Sequence, residues 1–149
     1  FFGIQAENSA PLVDGKIIEN PSTVATAIRI GNPASSDLAK EAVNDSQGEF
    51  LKVSDEEIIS AQSLIAKHEG IFCEPASAAS FAGLLKKINN GLDVKNKKIV
   101  CILTGNGLKD PENAQKYLKS KIIKTSSSSE SIKKAILSGS STNIFKRMF

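Results

Sequence analysis

The chain has no Trp, one Tyr, one Met and one His among its 149 residues. Aromatic residues make up only 5%, so Ile, Leu, Val and Ala must fill any core without help from large rings. The single histidine, His68, falls on the solvated side of an expected helix, which argues against Cys73 as a His-activated nucleophile. Both cysteines, Cys73 and Cys101, have apolar neighbours and read as reduced, buried thiols of a cytoplasmic protein. A site built from Cys73, His68, Glu74 and Cys101 matches no standard metal-ligand spacing. No signal-peptide pattern is present, and no apolar run approaches the ~20 residues of a membrane span. Net charge is a mild +3, with lysines scattered among acids until the final stretch, so there is no nucleic-acid footprint. What remains is a chain with 40% hydrophobic residues, enough to build one domain of ordinary size.

Local patterns place the elements. Phe1 to Gln5 reads as a short buried strand already in progress at residue 1, which leads us to expect the C-terminal portion of a longer protein. A helix is expected from Thr23 to Arg29, capped by Ser22 and ended by Gly31-Asn32-Pro33. A second is expected from Ser36 to Asn44, then a half-exposed strand from Glu49 to Val53. Ser54 and Glu57 have capping-box spacing for a helix from Asp55 to Glu69, with Ile58, Leu64 and Ile65 on its buried face and Gly70 as its stop. An Ala-rich helix follows Glu74-Pro75 and carries Phe81, Leu84, Leu85 and Ile88. A strand is expected from Lys98 to Leu103, then a helix from Pro111 to Lys119. Thr125 to Ser131 is nearly all Ser and reads as a flexible connector. Ser131 to Leu137 can form one or two amphipathic turns, and Phe145 to Phe149 is basic and apolar. A frayed terminus is favoured there over a membrane or partner anchor.

Thr104 is the foremost candidate for a functional side chain. It ends the apolar run Ile99 to Leu103 and is followed by Gly105-Asn106-Gly107, then by Asp110-Pro111 at a helix start. In open parallel sheets ligands bind beyond the carboxyl ends of strands, where backbone donors are free. A threonine that bonds its own backbone at a strand end fits the position equally well. The turn matches neither a dinucleotide fingerprint nor a P-loop. Glu74, followed by Pro75 and small residues at a helix start, lets a planar group approach the backbone. Its bland alternative is a favourable charge near a helix N-terminus, worth ~0.3–1 kcal/mol.

Three segments taken in order carry a resemblance: Thr26 to Ser35 (TAIRIGNPAS), Gly70 to Ala79 (GIFCEPASAA) and Leu103 to Pro111 (LTGNGLKDP). Together with Gly3 to Pro11 (GIQAENSAP), they resemble the threonine synthase family in its C-terminal part, over about Phe2 to Lys119. The resemblance implies an α/β fold, part of the larger domain of a tryptophan-synthase-like (fold type II) enzyme that uses pyridoxal 5′-phosphate. It implies a carbon–oxygen lyase acting on a phosphate ester, converting O-phospho-L-homoserine and water to L-threonine and phosphate, in a protein that is a homodimer at full length. The residue matching Thr104 would donate its hydroxyl to the pyridine nitrogen. Glu74 would line the ring edge, and Gly105 and Asn106 would shape the turn. Arg29, Asn32 and Ser35 fall in a family motif without an assigned contact.

The family's Schiff-base lysine motif and its Gly-rich phosphate loop have no counterpart in this sequence, and Lys109 is not that lysine. Residues 1–124 are therefore expected to be an incomplete catalytic domain and 125–149 a Ser-rich linker with a short tail. By itself this chain is expected to be inactive and only marginally stable. Two other functions fit the same residues: a threonine dehydratase or serine deaminase of the same fold, and a non-catalytic interaction module that works through its tail.

Overall fold

The computed structural model describes residues 1–117 and 123–139. The chain divides into two units, Phe1–Leu118 and Lys119–Phe149. The elements of the first unit run β1 (Phe2–Ala6), α1 (Pro11–Asp14), a 3-10 turn (Thr26–Ile28), α2 (Ser36–Asp45), β2 (Glu49–Val53), α3 (Asp55–Glu69), α4 (Pro75–Asn89), a second 3-10 turn (Gly107–Lys109) and α5 (Pro111–Tyr117). β1 and β2 pair in parallel, Phe2 opposite Glu49 and Ala6 opposite Val53. Parallel strands need a long crossover, which α1, the first 3-10 turn and α2 supply.

The capping box of α3 forms. Glu57 N donates to Ser54 Oγ at 3.2 Å, and Ser54 N donates to Glu57 Oε2 at 2.7 Å. Asp55, Glu56 and Glu57 sit at the positive end of this helix and Lys67 and His68 at the negative end, as its dipole favours. Gly70 ends it with φ of 67°, the left-handed conformation that glycine adopts without a Cβ penalty. The buried face is Ile58, Ala61, Gln62 and Ile65. Leu64, expected on that face, is 36% exposed and lines an apolar recess of about 290 Å³ with Ile71, Phe81, Cys101 and Leu103. Gln62 takes its place inside because its amide donates to the Cys73 carbonyl at 2.7 Å.

α4 is the central helix. Pro75 to Ala79, Ala82 and Gly83 are buried, and their small side chains let it lie close on β1. A Cβ at Gly83 would come within 2.3 Å of Ile4 Cδ1. The core is Ala6, Ala25, Val53, Ile58, Ala61, Ile65, Cys73 and the α4 alanines, with no aromatic residue fully buried among the described residues.

Two expected elements differ. The helix from Thr23 to Arg29 is only the 3-10 turn Thr26–Ile28, because tertiary bonds claim its first residues. Thr23 Oγ1 donates to Asp55 Oδ1 at 2.5 Å and Val24 N to Asp55 Oδ2 at 3.1 Å. The segment Lys98 to Leu103 is not a strand. No neighbouring strand bonds to it among the described residues, and Val100 and Ile102 are 85% and 68% exposed.

In the second unit α6 spans Ser129–Gly139. The end of the expected connector is thus helical, since Ser128 Oγ accepts from Ser131 N at 3.3 Å and caps the first turn. Helix α6 is longer than the one or two turns expected, and Ile132, Ile136 and Leu137 on it are exposed. The basic, apolar end from Phe145 lies outside the described residues, as does the end of the helix expected to reach Lys119.

Candidate functional site

The turn after Leu103 is strapped to the segment before α4. Glu74 N donates to the Gly105 carbonyl at 3.1 Å, and Gly107 N donates to the Phe72 carbonyl at 3.0 Å. These two bonds form an antiparallel bridge between Cys73 and Asn106. Two glycines make the close approach possible. A Cβ at Gly105 would lie 2.0 Å from Glu74 Oε1, and one at Gly107 would lie 2.5 Å from the Phe72 ring. Asn106 Oδ1 accepts from Leu108 N at 2.9 Å and caps the 3-10 turn that follows.

Strapping brings Thr104 against the first turn of α4. Its hydroxyl oxygen lies 3.2 Å from Ser77 Oγ, and the residue as a whole is exposed. Ser77, 1% exposed, accepts from Gly105 N at 2.7 Å and lies 3.1 Å from the Gly105 carbonyl. Glu74, 3% exposed, sits behind the turn, and Lys109 Nζ reaches its Oε1 at 3.3 Å. That pair satisfies a buried carboxylate while Lys109 itself stays mostly in solvent. Thr104, Gly105, Asn106 and Glu74, all expected from the sequence, are therefore one cluster.

Sequence reasoning missed the residues that tie this cluster to the rest of the unit. Thr26 Oγ1 donates to Asp110 Oδ2 at 2.9 Å, and Asn113 Nδ2 donates to the same oxygen at 2.8 Å. Asn113 Nδ2 also reaches the Val24 carbonyl at 3.1 Å. The Asn113 amide, with Thr26 helping, holds the Asp110 carboxyl below its usual value of 3.8. The buried Ser9 hydroxyl lies 3.1 Å from the Ile28 carbonyl, so all four resembling segments meet in one unit. Among the described residues, no side-chain hydrogen bond or ion pair joins Arg29, Asn32 or Ser35 to this cluster, and the only sequence signal for Ser77 was its place in a run of small residues. Burial raises both the Cys73 and the Cys101 thiols. Among the described residues, no cluster of three or more His, Cys, Asp or Glu could hold a metal ion, and no helix is long and apolar enough to cross a membrane.

Residues 1–105 match the family model described as pyridoxal-phosphate dependent enzyme. The chain belongs to that family. Among curated relatives, "Threonine synthase" of Mycobacterium tuberculosis is 55% identical over 79% of this chain and 33% of its own length. "Threonine synthase" of Bacillus sp. (strain ULM1) is 50% identical over 88% of this chain and 37% of its own length. The same name from Methanocaldococcus jannaschii is matched at 50% identity over 75% of this chain and 30% of that protein. The chain spans about one third of the length of these relatives. Among solved structures, maize serine racemase superposes with a TM-score of 0.55 at 24% identity, covering 78% of this chain and 36% of that one. A fungal L-serine ammonia-lyase from Rhizomucor miehei gives a TM-score of 0.52 at 21% identity, over 78% and 41% of the two chains. The fold is the α/β architecture of fold type II pyridoxal-phosphate enzymes.

The turn suits the family's cofactor. A neutral pyridine nitrogen is a hydrogen-bond acceptor, and Thr104 is an exposed residue whose hydroxyl is held on one side by Ser77. Glu74, the acid of this cluster, is buried behind Gly105 and met by Lys109, so it offers no open carboxylate there.

Proposed function

We propose that this chain supplies the ring-nitrogen side of the active site of a threonine synthase, which converts O-phospho-L-homoserine and water to L-threonine and phosphate. The observation that carries this is Thr104, an exposed residue whose hydroxyl is braced by Ser77, in a chain 50–55% identical to proteins of that name. When bound, the cofactor supplies an electron sink for the substrate's carbanion. Thr104 gives the ring nitrogen a neutral donor, which does not force its protonation as a carboxylate would. Gly105 and Asn106 hold Thr104 at the tip of its segment, and Glu74 with Lys109 keeps that turn in place from behind. The lysine that anchors the cofactor and the loop that grips its phosphate lie outside the motifs carried here, so this chain alone gives no turnover. A cytoplasmic homodimer acting on this small-molecule substrate belongs to the same proposal.

The test is to supply the protein that carries this chain with pyridoxal phosphate and compare two substrates. Phosphate and threonine should accumulate together from O-phosphohomoserine. Ammonia release from L-threonine without phosphate release from O-phosphohomoserine would place the protein among the deaminases instead.

A further inference from the structure

Ser77 has one proton and two acceptors within reach, and the choice between them fixes what Thr104 can do. One of its two lone pairs is engaged by Gly105 N at 2.7 Å, and the other is open to a proton from Thr104. Its proton can go to the Gly105 carbonyl at 3.1 Å or to Thr104 Oγ1 at 3.2 Å. The carbonyl already accepts from Glu74 N at 3.1 Å, whereas Thr104 Oγ1 has no other donor among the described residues. Were Thr104 to donate outward while Ser77 donated to the carbonyl, two oxygens would face each other with no proton between them. An outward-donating Thr104 therefore needs Ser77 to donate to it. Ser77 also sits in the first turn of α4, a 15-residue helix whose positive end disfavours further positive charge in front of it.

We propose that Ser77 is a positioning residue that turns the Thr104 proton outward, through the relay Gly105 N–H to Ser77 Oγ–H to Thr104 Oγ1–H, and so favours a neutral ring nitrogen. This rests on the assignment of Thr104 to the cofactor's ring nitrogen. The experiment uses the full protein reconstituted with pyridoxal phosphate carrying ¹⁵N in the ring, read by nitrogen chemical shift and by cofactor affinity. Ser77→Ala should move the signal from a hydrogen-bonded neutral nitrogen toward an unbonded one. It should also weaken cofactor binding about five- to tenfold, the worth of one hydrogen bond. Ser77→Cys, close in size and a weaker donor, should shift the signal less in the same direction, and it carries the test if Ser77→Ala does not fold. Ser80→Ala is the control, since Ser80 Oγ bonds the Ser77 and Ile102 carbonyls and does not reach Thr104. Its signal should match the wild type.

If Thr104→Val moves the signal and Ser77→Ala and Ser77→Cys do not, Ser77 has no such role and Thr104 keeps its own. An equal shift from Ser80→Ala also overturns the role of Ser77, because general loosening of α4 would explain it. If Thr104→Val leaves the signal unmoved, the assignment of Thr104 itself fails.

Discussion

Replacing Gly105 by Ala tests how tightly the turn is held against Glu74. The added methyl would lie 2.0 Å from Glu74 Oε1, 2.6 Å from its Cδ and 3.0 Å from Lys109 Nζ. Lys109 is mostly exposed and can swing away, but Glu74 is 3% exposed and has nowhere to go. Overpacking of this kind costs about 1–3 kcal/mol. The backbone at Gly105 is outside the left-handed region, so Ala meets no conformational penalty there. It gains instead ~0.4–1 kcal/mol from a less flexible unfolded chain. The clash outweighs that gain, and Gly105→Ala should be destabilising by about 1–2 kcal/mol. In a Glu74→Ala background the clash disappears and only the gain remains, so the same substitution should become neutral or slightly stabilising. Urea midpoints for wild type, the two single variants and the double variant close the cycle. An equal cost of Gly105→Ala in both backgrounds would refute the packing of this turn on the buried carboxylate.

Other outcomes follow from the same contacts. Ser54→Ala removes the hydroxyl half of the α3 capping box and should cost ~1 kcal/mol in denaturant unfolding. Glu57→Ala should cost more, because Glu57 also holds Lys86 Nζ at 3.0 Å. Asp110 titrates below its usual value in the folded chain, so its contribution to stability is present above pH 3.8 and is lost as pH falls through the depressed value. Asn113→Ala should return the Asp110 titration toward 3.8, followed by carboxyl NMR, and shrink that acid-side loss. Alkylation of the folded protein near neutral pH should be slow, with half-buried Cys101 modified before fully buried Cys73. Equal rates would mean that the α3–α4 core opens readily.

Helices written in contiguous residues were legible before the structure. Ser54, Glu57 and Gly70 mark both ends of α3 because caps are local chemistry, and Pro75 marks the start of α4 in the same way. What depends on distant partners was not. The apolar run at Lys98 to Leu103 has strand composition, yet a strand exists only when a neighbour bonds to it. Thr23 and Val24 had the pattern of a helix start, but Asp55, 32 and 31 residues away, takes their donors. At the site, Thr104 and the glycine turn were visible as a break after an apolar run. Ser77 was not, since its meeting with Thr104 spans 27 residues and is set by the strap between Phe72 and Gly107.

The most direct measurement is a crystal structure of the protein that carries this chain, with pyridoxal phosphate bound. Thr104 Oγ1 should lie within about 3.2 Å of the pyridine nitrogen, with Ser77 Oγ behind it. A Thr104 hydroxyl turned away, with a carboxylate or a water facing that nitrogen instead, would contradict the central claim.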